Sequence, residues 1–230
     1  MGNKENALKA KNNILKYGSY EVLEKALGKF NPELFEIAPQ YPNEIYYYYT
    51  YVDGVYIWLK NAYQDNICVL CNEMRAVLGH LSEYDDKDDD GKKNLEKAYG
   101  HFRRLSIDSL KILCNGLDEA FDKWIQKYAR YDYSRRDNKY LPDYVRLYHN
   151  AHNAYLDAQE KENLGSDRGN SIINKYYDVA NKYLLLYKHH NNIRRVKIEK
   201  LAKRFRWNTR LAILATFVFA TLSIVDAYVF

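Results

Sequence analysis

The chain has 230 residues, of which 47% are hydrophobic and 28% charged, and its formal net charge is +5 at pH 7. Residues 188–210 contain nine Lys or Arg and one Glu, so the rest of the chain is acidic and the net charge does not by itself argue for nucleic-acid binding. The three cysteines, Cys68, Cys71 and Cys114, argue against a disulfide framework, and the polar N-terminus predicts no signal peptide.

Helices are predicted along the whole chain, because only four prolines occur and three of them fall in one connector. The predicted helices cover residues 7–17, 20–30, 43–81, 95–129, 142–161 and 171–230. The predicted connectors are residues 31–43, 83–94, 132–141 and 165–170. We expect Asp53 and Gly54 to bend or break the third helix, and Ser171 to cap a last helix that continues without a break. The fold class is therefore all-α.

The last twenty residues, 211–230, contain no Lys, Arg, Glu, Pro or Gly. A helix of this length spans roughly 30 Å, the thickness of the hydrocarbon core of a bilayer. The basic flank and Trp207 predict a single-pass transmembrane helix with the N-terminal domain in the cytoplasm. We therefore predict a cytoplasmic sensor and oligomerisation domain over residues 1–170, a basic juxtamembrane helix over 171–210 and a transmembrane helix over 211–230. A buried core helix is the alternative.

Small residues recur along one face of this span, at Ala212, Thr216, Ala220, Ser223 and Ala227. Such stripes let transmembrane helices pack closely, and Asp226 lies beside the stripe. The polar side chains of the stripe, together with Asp226, would suit the lumen of a small oligomeric pore, where a ring of carboxylates favours cations. A simple tail anchor is the alternative.

Charged side chains share one face of the predicted helix 95–129. They are His101, Arg104, Asp108 and Lys111, at spacings typical of one helical face. Arg103 lies beside them, and Arg75 and His80 belong to the preceding helix. A group of Arg, His and Lys with few acids nearby favours a phosphate-bearing ligand, because the guanidinium group matches phosphate geometry. The alternative is a solvated face with an ion pair between Arg104 and Asp108.

A Gly-His dipeptide occurs on each side of the acidic loop, at residues 79–80 and 100–101. The repeated dipeptide predicts an antiparallel hairpin. This hairpin would bring Arg75 and His80 close to the basic residues of helix 95–129. Glycine in a helix interior costs about 1 kcal/mol relative to alanine, so Gly79 and Gly100 suggest close approach of backbones or of a ligand.

Tyrosine is unusually frequent, with 24 residues, and residues 46–49 are four tyrosines in a row. Four consecutive side chains of a helix cannot all face one core, so some must point to solvent or to a partner. Tyr47 and Tyr51 are candidate ligand contacts, since tyrosine stacks on nucleic-acid bases. The alternative is a tyrosine-rich core and subunit interface.

Two other patterns point to different chemistry. Arg146, followed six residues later by His152, resembles the signature of HEPN ribonucleases, in which the arginine binds the scissile phosphate and the histidine is the acid or base. The acidic loop nearly matches an EF-hand through Asp86, Asp88, Asp90 and Gly91. Lys97 occupies the position of the bidentate glutamate, which argues against calcium. We therefore predict no metal site, no cofactor and no catalytic residue.

The segments Glu73-Met-Arg-Ala-Val-Leu-Gly-His80 and Ala98-Tyr-Gly-His-Phe-Arg-Arg104, in a helical chain with one C-terminal span, resemble the Hailong effectors of bacterial anti-phage defence. The resemblance implies an effector that is paired with a nucleotidyltransferase, binds single-stranded oligodeoxyadenylate and assembles as an ion channel. We accordingly expect an inner-membrane homo-oligomer, with a tetramer favoured, in the lipid bilayer.

Its gating signal would be an oligonucleotide or nucleotide held by the cytoplasmic domain. The candidate ligand-binding residues are Arg75, His80, His101, Arg103, Arg104, Lys111, Tyr47 and Tyr51. The alternatives are a membrane-tethered HEPN-like ribonuclease and an anchored adaptor without pore activity.

Overall fold

The computed structural model describes residues 14–63, 67–128, 140–164, 170–191 and 193–229, with side chains described for all of these except residues 16–17, 170, 193–194 and 218–229. All regular structure in these ranges is helical, which confirms the all-α prediction. The α-helices are α1 (Ile14–Tyr17), α2 (Tyr20–Lys29), α3 (Pro42–Tyr63), α4 (Cys68–Ser82), α5 (Asp89–Tyr128), α6 (Tyr140–Asn163), α7 (Asn170–His190) and α8 (Ile193–Val229). A 3₁₀ helix, Pro32–Glu36, lies in the connector between α2 and α3.

The long helix α5 forms the centre of the bundle. It packs against α4 in the predicted antiparallel hairpin and also contacts α3, α6, α7 and the beginning of α8. Its apolar side chains recur every three or four residues, and Phe102, Leu105, Leu113 and Phe121 are almost completely buried. Helix α7 also lies within the bundle, where it packs against α6 and α5.

Tyrosines fill much of the core, as the alternative interpretation of their abundance predicted. Tyr144, Tyr176, Tyr183 and Tyr187 are among the largest fully buried side chains. Their hydroxyl groups find partners on other helices or loops; the Tyr187 hydroxyl, for example, donates to the carbonyl oxygen of Gly18 at 2.5 Å. Burial of a tyrosine with its hydroxyl satisfied adds apolar area without an orphaned polar group, so these bonds fix how the helices lie against each other.

The prediction of a bend or break at Asp53 and Gly54 is wrong. Helix α3 continues through both residues from Pro42 to Tyr63. A Cβ atom at position 54 would lie 3.0 Å from the Cβ atom of Ala26 on α2, so Gly54 serves the close packing of two helices. The single helix predicted over 43–81 is also wrong, because Ile67 has non-helical backbone angles and α4 begins at Cys68.

The acidic loop is shorter than predicted, because α5 begins at Asp89. Asp89 and Asp90 lie in its first turn, where negative side chains interact favourably with the positive end of the helix dipole. Gly91, predicted as the turn glycine of a near EF-hand, is a buried helical residue that packs against the backbone of Asp85. Among the described residues no group of His, Cys, Asp or Glu could hold a metal ion.

The last helix is interrupted, so the predicted continuity of residues 171–230 is wrong. Helix α7 ends at His190, and the backbone amide of Asn191 closes a turn on the carbonyl oxygen of Tyr187 at 3.0 Å. Asparagine has low helix propensity, so the Asn-Asn pair at 191–192 is a weak point in the helical pattern. Helix α8 then runs from Ile193 to Val229.

Several predicted segments lie outside the described residues: 7–13, 132–139 and 165–169. No helix in the described part of the chain is both long enough and apolar enough to cross a membrane.

Two glycines of α5 provide a matched test of how the acidic loop packs against this helix. A Cβ atom at Gly91 would overlap the Asp85 backbone, whose carbonyl carbon would be 2.8 Å away, whereas a Cβ atom at Gly100 meets nothing within 4 Å. We expect Gly91→Ala to lower the free energy of unfolding by about 1–3 kcal/mol, and Gly100→Ala to raise it by up to about 1 kcal/mol. Urea unfolding followed by circular dichroism measures both changes. Equal effects of the two substitutions would contradict the described packing of the loop on α5.

Candidate ligand sites and the junction of the C-terminal helix

The hairpin of α4 and α5 brings together four side chains, which we call the α4–α5 cluster: Glu73, His80, His101 and Arg104. The Glu73 carboxylate lies 2.7 Å from Nδ1 of His101 and 3.5 Å from Nη1 of Arg104. The rings of His80 and His101 stack with their centroids 5.4 Å apart. The sequence pattern predicted the three basic members of this cluster but not Glu73, which partly neutralises them.

The alternative ion pair between Arg104 and Asp108 does not form, because Arg104 pairs with Glu73. Asp108 is half-buried, and this burial is the main reason why its pKa is raised. The nearby Lys111 opposes the rise in pKa, while the Glu73 and Glu162 carboxylates add to it.

Two predicted ligand residues of α5 have other local partners. The Lys111 ammonium lies 2.9 Å from a carboxylate oxygen of Glu162 on α6. The Arg103 guanidinium lies over the ring of Tyr99, 5.8 Å from its centroid. Nε of Arg103 is buried without a hydrogen-bond partner, and so is Nδ1 of His80. Arg75 is exposed on α4.

The consecutive tyrosines of α3 divide between core and solvent, as predicted. Tyr48 is buried, whereas Tyr46 and Tyr47 are more than half exposed. The hydroxyl groups of Tyr47 and Tyr51 lie 2.5 Å apart and their rings meet edge to face. Within the described part of the chain neither hydroxyl group bonds to a residue of the α4–α5 cluster. Gly79 and Gly100 leave open space, so close backbone approach is not their role.

The two residues of the HEPN-like pattern lie on α6 and have different partners. The exposed Arg146 pairs with Asp143 of the same helix at 3.4 Å. Nδ1 of His152 lies 2.9 Å from Oδ1 of Asp118 on α5, and the Tyr183 hydroxyl donates to the same oxygen at 2.7 Å. The structure therefore places His152 in a hydrogen-bond network of the bundle and leaves Arg146 on the surface.

A second cluster, which we call the junction, lies where α8 meets the bundle: Trp124, His190, Arg195 and Glu199. The indole Nε1 of Trp124 donates to Oε1 of Glu199 at 3.1 Å, and Nη1 of Arg195 lies 3.2 Å from Nε2 of His190. The sequence pattern did not predict the junction. The sequence feature that points to it is Glu199, the single acid among the nine basic residues of 188–210.

His190 is the innermost group of the junction, with 1% of its surface exposed. Burial, and then the charge of Arg195, lower its pKa to about 3. The neutral ring accepts a hydrogen bond from Arg195 at Nε2, so Nδ1–H is the donor to the Tyr144 hydroxyl oxygen at 2.9 Å. On α8, Ile198 and Ala202 lie one and two turns beyond Arg195 and are also buried.

Beyond Ala202 the helix α8 leaves the bundle. Every described side chain from Lys203 to Phe217 is exposed, including Trp207 and Phe217, at 62% and 70%. Ala212 and Thr216 of the predicted packing stripe are among them, and the Thr216 hydroxyl donates to the carbonyl oxygen of Ala212 at 2.9 Å. The side chains of Ala220, Ser223 and Asp226 lie outside the described residues.

Comparison of the chain with protein-family models, with curated proteins and with solved structures gave no match.

The raised pKa of Asp108 has a consequence for stability. A carboxyl whose pKa is higher in the folded state opposes folding when it is ionised. Its cost is absent in acid and grows as the pH rises from the ordinary pKa of an aspartate to the raised pKa of Asp108. We expect Asp108→Asn to stabilise the chain at pH 7 by less than about 1 kcal/mol, because the half-buried group is screened by solvent. The gain should shrink towards pH 3.

The pH dependence can be followed by thermal unfolding of the two proteins in parallel. Asp157→Asn is the matched control, because Asp157 is an exposed helical aspartate paired with Lys161. It should give no gain at any pH. A stabilisation by Asp108→Asn that is equally large at pH 3 would contradict the assignment.

Proposed function

We propose that the chain is a membrane effector of bacterial anti-phage defence, an oligomeric ion channel gated by a nucleic-acid or nucleotide signal. The single observation that carries the proposal is the exposed apolar surface of α8 between Leu211 and Phe217. Leu211, Ile213, Leu214 and Phe217 are each about half exposed or more in the monomer. A large exposed apolar surface on one helix indicates a membrane or a partner helix, because water does not stabilise it.

The order of side chains along α8 supports insertion into a bilayer. The part of α8 that contacts the bundle is followed by a strongly basic segment and Trp207, and then by the apolar run that begins at Leu211. This is the order expected at the cytoplasmic face of an inner membrane, where Lys and Arg stay in the interface and tryptophan marks the headgroup level. The proposed topology is a single pass with the bundle in the cytoplasm, and the proposed span, residues 211–230, includes residues 218–230, whose side chains lie outside the described part of the chain.

The small-residue stripe supports an oligomer rather than a lone anchor. Small side chains let helices approach closely in lipid, where apolar surface alone gives little specificity. The bond of Thr216 to the carbonyl oxygen of Ala212 satisfies its hydroxyl within the helix, so this residue is compatible with a helix–helix contact. A ring of Asp226 carboxylates in a homo-oligomer, a tetramer being favoured, would select cations.

The signal in this proposal is bound at the α4–α5 cluster. His80, His101 and Arg104 supply donors, and the buried Nδ1 of His80 has no hydrogen-bond partner within the protein. Glu73 holds the cluster together in the absence of ligand, and a phosphate group would replace its carboxylate as the partner of Arg104. The resemblance to Hailong effectors suggests oligodeoxyadenylate, supplied by a linked nucleotidyltransferase, as the first ligand to test.

Ion flux is the test of the channel. Liposomes containing the purified chain and a cation-sensitive dye should show cation flux that changes when oligodeoxyadenylate is added. Ala220→Leu, which disrupts the small stripe, should lower the flux at least tenfold, while Leu222→Ile should not. Absence of flux with and without oligonucleotide would overturn the channel. RNA cleavage that is lost in His152→Ala would support the tethered ribonuclease instead.

The ligand surface has its own test, in which oligodeoxyadenylate binding is measured by fluorescence anisotropy. Arg104→Glu should weaken binding at least tenfold, since one favourable charge is replaced by a repulsive one. Glu73→Gln should strengthen binding severalfold, because it removes the carboxylate that competes with phosphate. Arg146→Glu, the same change at an exposed arginine of α6, is the control. Equal effects of the changes at residues 104 and 146 would exclude the cluster as the site.

A further inference from the structure

A cavity of about 620 Å³ opens at the junction, between the C-terminal part of α5 and the first turns of α8. Its volume lies in the range of pockets that hold small molecules, roughly 300–1,000 Å³. The lining residues are Leu15, Ala120, Lys123, Trp124, Lys127, Tyr128, His190, Arg195 and Glu199. The cavity is separate from the α4–α5 cluster, because Trp124 is 23 residues beyond His101 on the same helix, a distance of about 35 Å along the axis.

The lining is positively charged and partly apolar. Three of its side chains are cations, those of Lys123, Lys127 and Arg195, and Glu199 is its single carboxylate, while His190 is neutral at physiological pH because burial lowers its pKa. Leu15, Ala120 and Tyr128 add apolar and aromatic surface.

The Lys123 ammonium is paired with a carboxylate oxygen of Glu119 at 3.6 Å. Glu199, in contrast, does not satisfy the Arg195 guanidinium. Its Oε1 accepts the hydrogen bond from Trp124, and Nε of Arg195 lies 4.0 Å from the same oxygen, beyond hydrogen-bond distance. That Nε atom is buried and has no hydrogen-bond partner. A buried guanidinium nitrogen without an acceptor is costly, and an anionic oxygen in the cavity would supply the acceptor.

We propose that this cavity binds a small phosphate-bearing ligand, which competes with the Glu199 carboxylate for Arg195. The phosphate lies between Arg195 and the ammonium groups of Lys123 and Lys127, and the remainder of the ligand contacts Leu15, Ala120 and Tyr128. The ligand class is that of nucleotides and other small organophosphates, whose phosphate groups suit the guanidinium fork.

Binding here would also act on α8, and this consequence rests on the proposed function. Glu199 and Arg195 are the polar side chains of α8 that hold it to α5 and to His190. A phosphate that lies between Arg195 of α8 and the lysines of α5 bridges the two helices. It favours the arrangement of α8 on the bundle in which it binds more tightly, and so shifts the docking of α8. The ligand site itself does not depend on a membrane span.

Isothermal titration of the full chain in detergent tests the site, with AMP and pyrophosphate as probes. At least one probe should bind, and Lys127→Glu should weaken that binding tenfold or more. Lys25→Glu, the same change at an exposed lysine of α2, is the matched control and should have no effect. The titrations are made in the Arg104→Glu background, which weakens binding at the α4–α5 cluster, so that the effect of Lys127→Glu reports on the cavity alone.

A second variant separates ligand binding from a purely structural role of the junction. Glu199→Gln keeps an oxygen that can accept from Trp124 but removes the competing charge, so it should tighten probe binding severalfold. The proposal is overturned if neither probe binds, if Lys127→Glu binds as well as the unchanged chain, or if Glu199→Gln weakens binding. None of these outcomes depends on ion flux, so the site and the channel can fail separately.

Discussion

The central helix α5 is the constraint on which the arrangement of the whole molecule depends. It is 40 residues long, and its apolar face is covered by other helices of the bundle. His101 and Arg104 lie in its first half and Trp124 near its end, so one rigid element positions both the α4–α5 cluster and the junction. Helix α8 contacts this same element, which gives the bundle a direct physical connection to the exposed C-terminal helix.

The buried tyrosines explain why the helices hold one arrangement around α5. Hydroxyl groups in a core must find partners, and here those partners are on other elements: Asp118 for Tyr183, Glu162 for Tyr176 and His190 for Tyr144. Each such bond favours one relative position of two helices more strongly than apolar packing alone would. The bond of Tyr144 to His190 extends this network to the point where α7 ends and α8 begins.

Sequence patterns predicted the elements better than they predicted the sites. The all-α class, the α4–α5 hairpin and the division of residues 46–49 between core and solvent follow from helical periodicity and local turn signals. Periodicity did not locate the end of α7 at His190, because apolar residues continue at helical spacing on both sides of the Asn-Asn pair at residues 191–192. It could not reveal Glu73 as the partner of Arg104, since spacing along one helix does not show which side chains a second helix brings close.

Both candidate ligand surfaces share one physical feature, a glutamate that occupies basic side chains while no ligand is bound. Glu73 does so in the α4–α5 cluster and Glu199 at the junction. A bound anion would compete with each of these carboxylates, and an anion at the junction would also bridge Arg195 of α8 to the lysines of α5. This provides a route by which occupancy of the bundle could reach the apolar part of α8, in keeping with the proposed effector.

The proposed function requires that α8 enter a bilayer next to Trp207. Quenching of tryptophan fluorescence by brominated lipids measures this directly. Trp58 and Trp124 are buried in the bundle, whereas Trp207 is exposed next to the apolar run. If α8 enters the bilayer, tryptophan fluorescence is quenched in liposomes whose bromines lie near the headgroups, and this quenching is lost in Trp207→Phe. No quenching in the unchanged chain, or equal quenching in Trp207→Phe, would contradict the membrane assignment.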